Sequence, residues 1–437
     1  MKKLIGIVFL GVVLGLMFSP LVGAQVTIKV AHFYDPATGP AHVANMQWLE
    51  KVKNVFEEEN PGIKVEFEWI KWDELDLKAL RDYRAGISHD VIYSSPQYYG
   101  LHQVAGDLLD ISNFVSQWPD DFLTDISWSP VWGSAFPWGV PLGIHTRSVV
   151  YRRDMYEEAG LDPDKTPDNL DELVEYSKKL TQDTDGDGVT DIYGLGMYFG
   201  PSRATIELYF APYLWHFDGE LWDPETKKAT FASEAGISAA QFLFDLIYTH
   251  KVTPEWSISG IYDDVIMMSF LNEKLAQAEG WGSYWIGPLE EKGWAEGVFP
   301  PTPEGKATIA DVYPTPTKYR AQFTNAWNVS IHALSEHPAE SWKFIETMIR
   351  PELLIDYPDA GLPALLSLWD RPEFQTPFYQ KWLEAARSGR PMPLTAHYGD
   401  LADTVAACLQ EIFATKAPIA ETLKKFEDEY NSKFAGE

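Results

Sequence analysis

The chain has 437 residues, 45% of them hydrophobic and 23% charged, with a formal net charge of −29. That length exceeds one compact core and predicts two or three domains, and the hydrophobic content excludes a disordered chain. Acidity on this scale argues against binding of nucleic acid or anionic lipid, and leaves neutral or cationic ligands open.

At the N-terminus, Lys2 and Lys3 precede an apolar run from Leu4 to Phe18, followed by Ser19-Pro20 and the small-residue end Val22-Gly23-Ala24. A basic start, an apolar middle and a cleavage-like end predict a secretory signal over residues 1–24 and a mature chain beginning near Gln25. A membrane anchor would need a longer apolar run, and no other stretch is long enough to span a bilayer, so a soluble periplasmic or extracellular protein is expected. The single cysteine, Cys408, lies in an apolar helical pattern and is expected in the core, with no intramolecular disulfide possible.

Thr27 to Val30 is a short β-branched run, and His32 to Pro40 reads as a loop carrying Phe33, Tyr34 and Asp35. From Val43, apolar Met46, Leu49, Val52, Val55 and Phe56 recur at helical spacing until Asn60-Pro61-Gly62. Ile63, Val65, Phe67 and Trp69 then alternate with charged residues, which predicts a strand with one polar face. Strand, helix and strand in close succession form a βαβ unit and predict an α/β lobe with a partly parallel sheet. A second helix is expected near Trp72 to Ala85, ending at Gly86, and His89 to Ser94 reads as the next strand. Ligands in open α/β sheets sit beyond the carboxyl ends of strands, which makes Gln97, Tyr98 and Tyr99 binding candidates.

Asp183, Asp185, Asp187 and Asp191 occupy positions one, three, five and nine of a calcium-type loop, with Gly188 at six and the Val189 carbonyl at seven. Position twelve is Gly194, so the usual bidentate Glu is missing. The loop predicts either a structural Ca²⁺ site completed by water or a distant carboxylate, or a solvated turn before a strand at Tyr193–Met197. Further on, Gly280-Trp281-Gly282-Ser283-Tyr284-Trp285 sets glycines among three large rings, which predicts a loop lining a cleft. The alternative is an aromatic corner packed between helices. Aromatic residues form 14% of the chain, and such faces stack on the C–H faces of sugar rings. No Gly-x-Ser-x-Gly, His-Glu-x-x-His or phosphate-loop motif occurs, although a glycoside hydrolase would leave no short motif.

Several segments, in order, carry a family resemblance: Phe56 to Val65, His89-Asp90-Val91-Ile92, Phe136 to Leu142, Val150 to Asp154, and Ala159-Gly160-Leu161-Asp162 with Thr166 to Leu173. Met268 to Gln277, Phe323 to Ile331, Ala339 to Ile345 and Ala360 to Ala364 continue it. Together they resemble the extracellular solute-binding proteins of ABC sugar importers, the group that includes maltose-binding protein. Asn169 departs from the pattern, standing where Trp is usual. The resemblance implies an α/β, two-lobed type II periplasmic-binding-protein fold, its discontinuous lobes joined by hinge crossovers near Leu142–Thr146, Phe323–Val329 and Tyr357–Pro363. The lobes would comprise residues 25–142 with 329–360, and 143–326 with 361–437.

By the same resemblance the protein is a monomeric binder, not an enzyme, that closes around a sugar and passes it to ABC permease subunits. The implied stacking residues are Trp281, Trp327, Tyr284 and Tyr34, and the implied polar contacts are Asp35, Gln97, Tyr98, His145, Asn325 and Tyr398. Carboxylates stand at the positions of Gln97 and His145 in the maltose-binding type, which argues against maltose itself. Peptides and polyol phosphates remain alternative ligands. Phosphorylated ligands are disfavoured because no Arg or Lys cluster is visible near the candidates.

Overall fold

A computed structural model describes residues 25–35, 37, 40–71, 74–87, 89–357 and 362–435; the expected signal segment lies outside them. Eight strands form two principal sheets: β1 (Val26–His32), β2 (Ile63–Trp69), β3 (Val91–Ser94), β4 (Val140–Pro141), β5 (Arg147–Arg152), β6 (Gln277–Gly282), β7 (Ala310–Tyr313) and β8 (Asn328–Ile331). The first sheet has the order β2-β1-β3-β8-β4. β1 pairs in parallel with β2, from Val26 opposite Ile63 to His32 opposite Trp69, and in parallel with β3. β8 enters antiparallel between β3 and β4 after a long excursion of the chain.

The helix Pro40–Glu59 is the crossover from β1 to β2. It places Trp48, Leu49, Val52 and Phe56 in the core, and each such side chain contributes about 1.5–3 kcal/mol by leaving water. Asn60 stops it by donating Nδ2 to the Phe56 carbonyl at 2.9 Å. β2 lies at the sheet edge: Val65 is buried, Phe67 half-buried and Trp69 exposed, so the expected alternation holds only at its middle.

The second sheet has the order β7-β5-β6 and is antiparallel throughout. β6 occupies Gln277–Gly282, and Ser283–Trp285 forms a single 3₁₀ turn, so the glycine-aromatic stretch is strand and turn instead of the expected loop. Gly280 has φ of 78°, and a Cβ there would sit 2.7 Å from the Tyr209 hydroxyl. That glycine serves close packing, not flexibility. Tyr193 and Gly196 only bridge in parallel to Leu275 and Ala278, beside β6, where a full strand was expected. Asn169 begins the helix Leu170–Leu180: its Oδ1 accepts from Glu172 N, while Glu172 accepts from Asp168 N. This reciprocal cap gives Asn169 a local purpose where the family pattern has Trp.

Each sheet has its own hydrophobic core. One gathers Ile28 to Leu142 with Val329 to Leu368, the other Ile144 to Ala326 with Trp369 to Tyr430, joined by Val131, while a smaller cluster on the second sheet gathers Val149, Tyr151, Tyr156, Leu180 and Tyr313. Both lobes are therefore discontinuous in sequence. The last passage alternates, since Leu362 packs in the second core while Ala364, Leu365 and Leu368 pack in the first. The chain thus commits to the second lobe at Trp369 instead of residue 361. Cys408 is buried in the second core, and burial pushes its thiol up to about 12.

The crossovers lie side by side. His145 and Asn325 exchange both backbone hydrogen bonds, at 2.7 and 3.0 Å, and Ile144 N reaches the Leu362 carbonyl at 2.9 Å. Such a narrow ribbon, with few side chains to repack, is where two rigid cores can pivot.

Candidate functional site

Between the lobes, against the crossovers, lies a cavity of about 720 Å³. Crossover residues supply His145, Phe323, Asn325 and Trp327, and Arg147 follows at the start of β5. The first lobe adds Gln97 from the turn Pro96–Tyr98, directly beyond the carboxyl end of β3. The second lobe adds Ser202, Arg203 and Glu207, then Tyr262, Asp263 and Tyr284. Glu207 belongs to a π-helical turn, Ile206–Phe210, between helical segments. A wide turn of this kind re-aims side chains at the cost of regular hydrogen bonding.

Rings and unpaired polar atoms alternate on this surface. Trp327 stacks at a tilt on Phe33, with centroids 4.1 Å apart, and the His145 ring lies 5.8 Å from that of Tyr284. Gln97 Oε1, Arg147 Nε, Ser202 Oγ and Asn325 Oδ1 are buried with no hydrogen-bond partner among the described residues. Buried polar groups normally find partners, so four orphans on residues that line one cavity point to a surface suited to a polar ligand. Glu207 accepts from the Tyr398 hydroxyl, and burial holds its carboxyl above the usual carboxylate range.

The lobes also meet beside the cavity. Arg203 Nη1 donates to the Tyr98 hydroxyl at 2.6 Å, across the cleft. A Cβ on Gly100 would fall 2.4 Å from the Thr395 backbone, so a glycine is required for that approach.

Behind the surface, two buried networks hold it in shape. His102 bridges Asp107 at 2.9 Å and Asp76 at 3.1 Å, and Asp76 also accepts from Ser95 N, which fastens the turn carrying Gln97 and Tyr98. Burial alone would lower the His102 pKa, but the two carboxylates more than offset it and raise it to about 9. In the second lobe Glu279 accepts from Tyr213 at 2.7 Å, Gln322 at 2.7 Å and Thr315 at 3.3 Å. Complete burial still pushes its carboxyl up to about 7.

Of the residues expected at the site, Gln97, His145, Tyr284, Asn325 and Trp327 line the cavity. Tyr98 and Tyr398 touch its wall through Arg203 and Glu207. Trp281 does not reach it: the ring is 0% exposed and packed edge-on against Phe270 and Trp285, because β6 points it into the core. Tyr34 is buried with its hydroxyl on Tyr357, and Asp35 accepts from Ala37 N beside His42, so neither lines the cavity. Arg147, Arg203, Ser202 and Glu207 were missed. The only sequence signals were the closeness of Arg147 to His145 and the Gly200-Pro201 break ahead of Ser202. The argument that no arginine stands near the cleft is thereby corrected.

In the acidic loop, Asp183, Asp185 and Asp187 bring carboxylate oxygens within 4.8 Å of one another, all exposed. Asp183 accepts from Gly186 N and Gly188 N, and Asp191 is turned onto Thr184. Gly194 packs against Ser177 and brings no ligand.

Residues 40–353 match the profile of the bacterial extracellular solute-binding proteins. The chain belongs to that family. A putative binding protein of Brucella abortus is 23% identical over 413 residues, covering 92% of this chain and 91% of its own length. Among solved structures, an ABC transporter solute-binding protein of Thermotoga lettingae bound with α-D-tagatose superposes with a TM-score of 0.73 at 21% identity, over 94% and 99% of the two chains. The sugar-binding protein MalE of Xanthomonas citri gives 0.75 at 16%, over 93% and 97%. These likenesses establish the two-lobed type II fold. Membership makes the chain an ABC solute-binding component and not a glycoside hydrolase, and no helix among the described residues is long and apolar enough to cross a membrane.

Proposed function

We propose that the protein captures a carbohydrate, an oligosaccharide in preference to a single ring, between its lobes and delivers it to an ABC permease. The observation that carries this reading is the crossover cavity, whose wall brings the rings of Trp327 and Tyr284 together with Gln97, Ser202 and Asn325, each holding a polar atom unpaired among the described residues. Aromatic faces take the C–H surface of a sugar, and planar polar groups take its hydroxyls. A volume of about 720 Å³ suits more than one ring. The sugar named for the Thermotoga lettingae protein, α-D-tagatose, adds support. A panel of mono- and oligosaccharides in a thermal-shift assay tests it: a specific sugar raises Tm by mass action. A shift with a peptide pool and none with any sugar overturns it.

The protein acts as a monomer, pivoting at the three crossovers, after signal cleavage near Ala24. Light scattering and N-terminal sequencing of the exported protein check both statements. Asp183, Asp185, Asp187, Asp191 and the Val189 carbonyl hold a structural Ca²⁺ remote from the cavity. Hard oxygen ligands clustered in a glycine turn support that assignment. Chelation then lowers Tm and calcium restores it, whereas chelator-insensitive stability with no calcium in metal analysis removes the ion from the account.

A further inference from the structure

Two arginines on the cavity wall lack the carboxylate partner that several other arginines of the protein have. Arg152, Arg153 and Arg350 each meet a carboxylate at 2.6 Å, in Asp154, Asp164 and Glu59. Arg147 is only 6% exposed, yet its Nη1 reaches just the carbonyl of its neighbour Thr146 at 3.3 Å, and its Nε has no partner. The guanidinium lies 4.9 Å from the Tyr284 ring centre and 5.9 Å from that of Phe323. Arg203 donates to the neutral phenol of Tyr98 and sits 5.4 Å from the same ring's centre. Neither arginine forms an ion pair among the described residues.

A guanidinium keeps its charge at any ordinary pH, and a buried charge without a counter-charge is costly. Ring faces offset part of that cost, but they do not satisfy the N–H donors of a guanidinium. The acids that share the wall do not fill the role. Glu207 attracts both arginines through space but makes no ion-pair contact with either, its carboxyl is engaged by Tyr398, and burial holds Asp263, like Glu207, above its usual range. Three acids on the wall, counting Asp403, repel a phosphate dianion more than a carboxylate with a single charge, and a planar carboxylate pairs with a guanidinium edge.

Resting on the carbohydrate reading, we infer that the captured saccharide is acidic: a hexuronate unit places its carboxylate on Arg147, its ring against Trp327 or Tyr284, and Arg203 adds attraction from the opposite side of the unit. The acidity of the whole chain does not oppose this, because the two cations are local to the cavity, burial disfavours the charged forms of Glu207 and Asp263 on the same wall, and most of the remaining carboxylates lie elsewhere.

Isothermal titration of the full mature protein tests it with di- and trisaccharide uronides of varied linkage, each beside its neutral methyl ester, and with glucose 6-phosphate. At least one uronide should bind tenfold or more tightly than its ester, with an affinity that falls as salt rises. Arg147→Gln should bring acid and ester within about threefold of each other. Should that variant fail to fold, the ester ratio and salt slope of the unaltered protein decide alone. Esters or neutral oligosaccharides binding as tightly as the acids, without salt dependence, overturn the acidic ligand and leave the carbohydrate reading standing. Tighter binding of glucose 6-phosphate than of any uronide overturns the carboxylate. Binding of no saccharide, acidic or neutral, overturns both readings.

Discussion

The cavity and the networks behind it are both buried and both polar, yet they are finished differently. Around His102 and Glu279 the buried groups meet partners supplied by the same lobe. On the cavity wall Gln97, Arg147, Ser202 and Asn325 hold atoms that nothing among the described residues satisfies. A completed network fixes a shape and has little left to offer a ligand, while an incomplete one beside open volume carries free energy that only a ligand can collect. Orphaned atoms also occur in the scaffold, at Trp281 Nε1 and Gln322 Oε1 among others, so what distinguishes the site is that four of them sit on residues lining one open volume.

The sharpest way to break that contrast is through two tryptophans. Trp281 belongs to the scaffold and Trp327 to the site. Trp281→Ala should cost about 3–5 kcal/mol of stability, as large-to-small changes in a packed core do, and chemical denaturation measures it. Trp327→Ala should weaken ligand binding roughly tenfold or more while costing less stability, because its ring already faces the cavity. Full-strength binding by the Trp327 variant, or an unfolding midpoint unmoved in the Trp281 variant, would exchange the two assignments.

Glu279 sharpens the scaffold half. Its folded pKa, about 7, lies above the usual carboxylate value, so the folded state favours the protonated form. Its contribution is whole below the unfolded pKa and is lost as pH rises through the folded one. The window runs from about 4.5 to 7, and the loss is on the order of 3 kcal/mol. Glu279→Gln should flatten that part of the stability-pH curve, bringing the variant's relative stability up as pH rises. An identical slope in both proteins would place the charge of Glu279 outside the folding balance.

What could be read from the residues follows the same division. The helix Pro40–Glu59 and the strands around it carried strong periodicity, and their parallel pairing followed from chain order. The stretch Gly280–Trp285 did not read correctly, because glycines signal loops unless a neighbour such as Tyr209 presses on the backbone, and that contact spans 71 positions of sequence. At the site, crossover residues His145, Asn325 and Trp327 were visible through the family pattern. Arg147 and Arg203 were silent, since a lone arginine means nothing until the fold shows which groups surround it, here Glu207 nearby but no carboxylate in direct contact among the described residues. Tyr34 and Asp35 had the right chemistry in the right loop, but Tyr357 and His42 claim them.

The smallest expected effect tests the seam between lobes. Tyr98→Phe keeps the ring under Arg203 and deletes only the hydroxyl that accepts its Nη1 across the cleft. One such hydrogen bond contributes about 1 kcal/mol net, roughly a fivefold change in an equilibrium constant. Because the bond exists only when the lobes approach, its loss shifts the balance toward the open form, and ligand affinity should fall by the same factor. Titration calorimetry resolves a fivefold change, and small-angle scattering of the protein alone should show a larger radius in the variant. An affinity that rises instead means that Tyr98 competes with the ligand for Arg203, so that the phenol occupies the position of the ligand's own acceptor. That outcome would tie Arg203 to the ligand more than to the seam, beside Arg147.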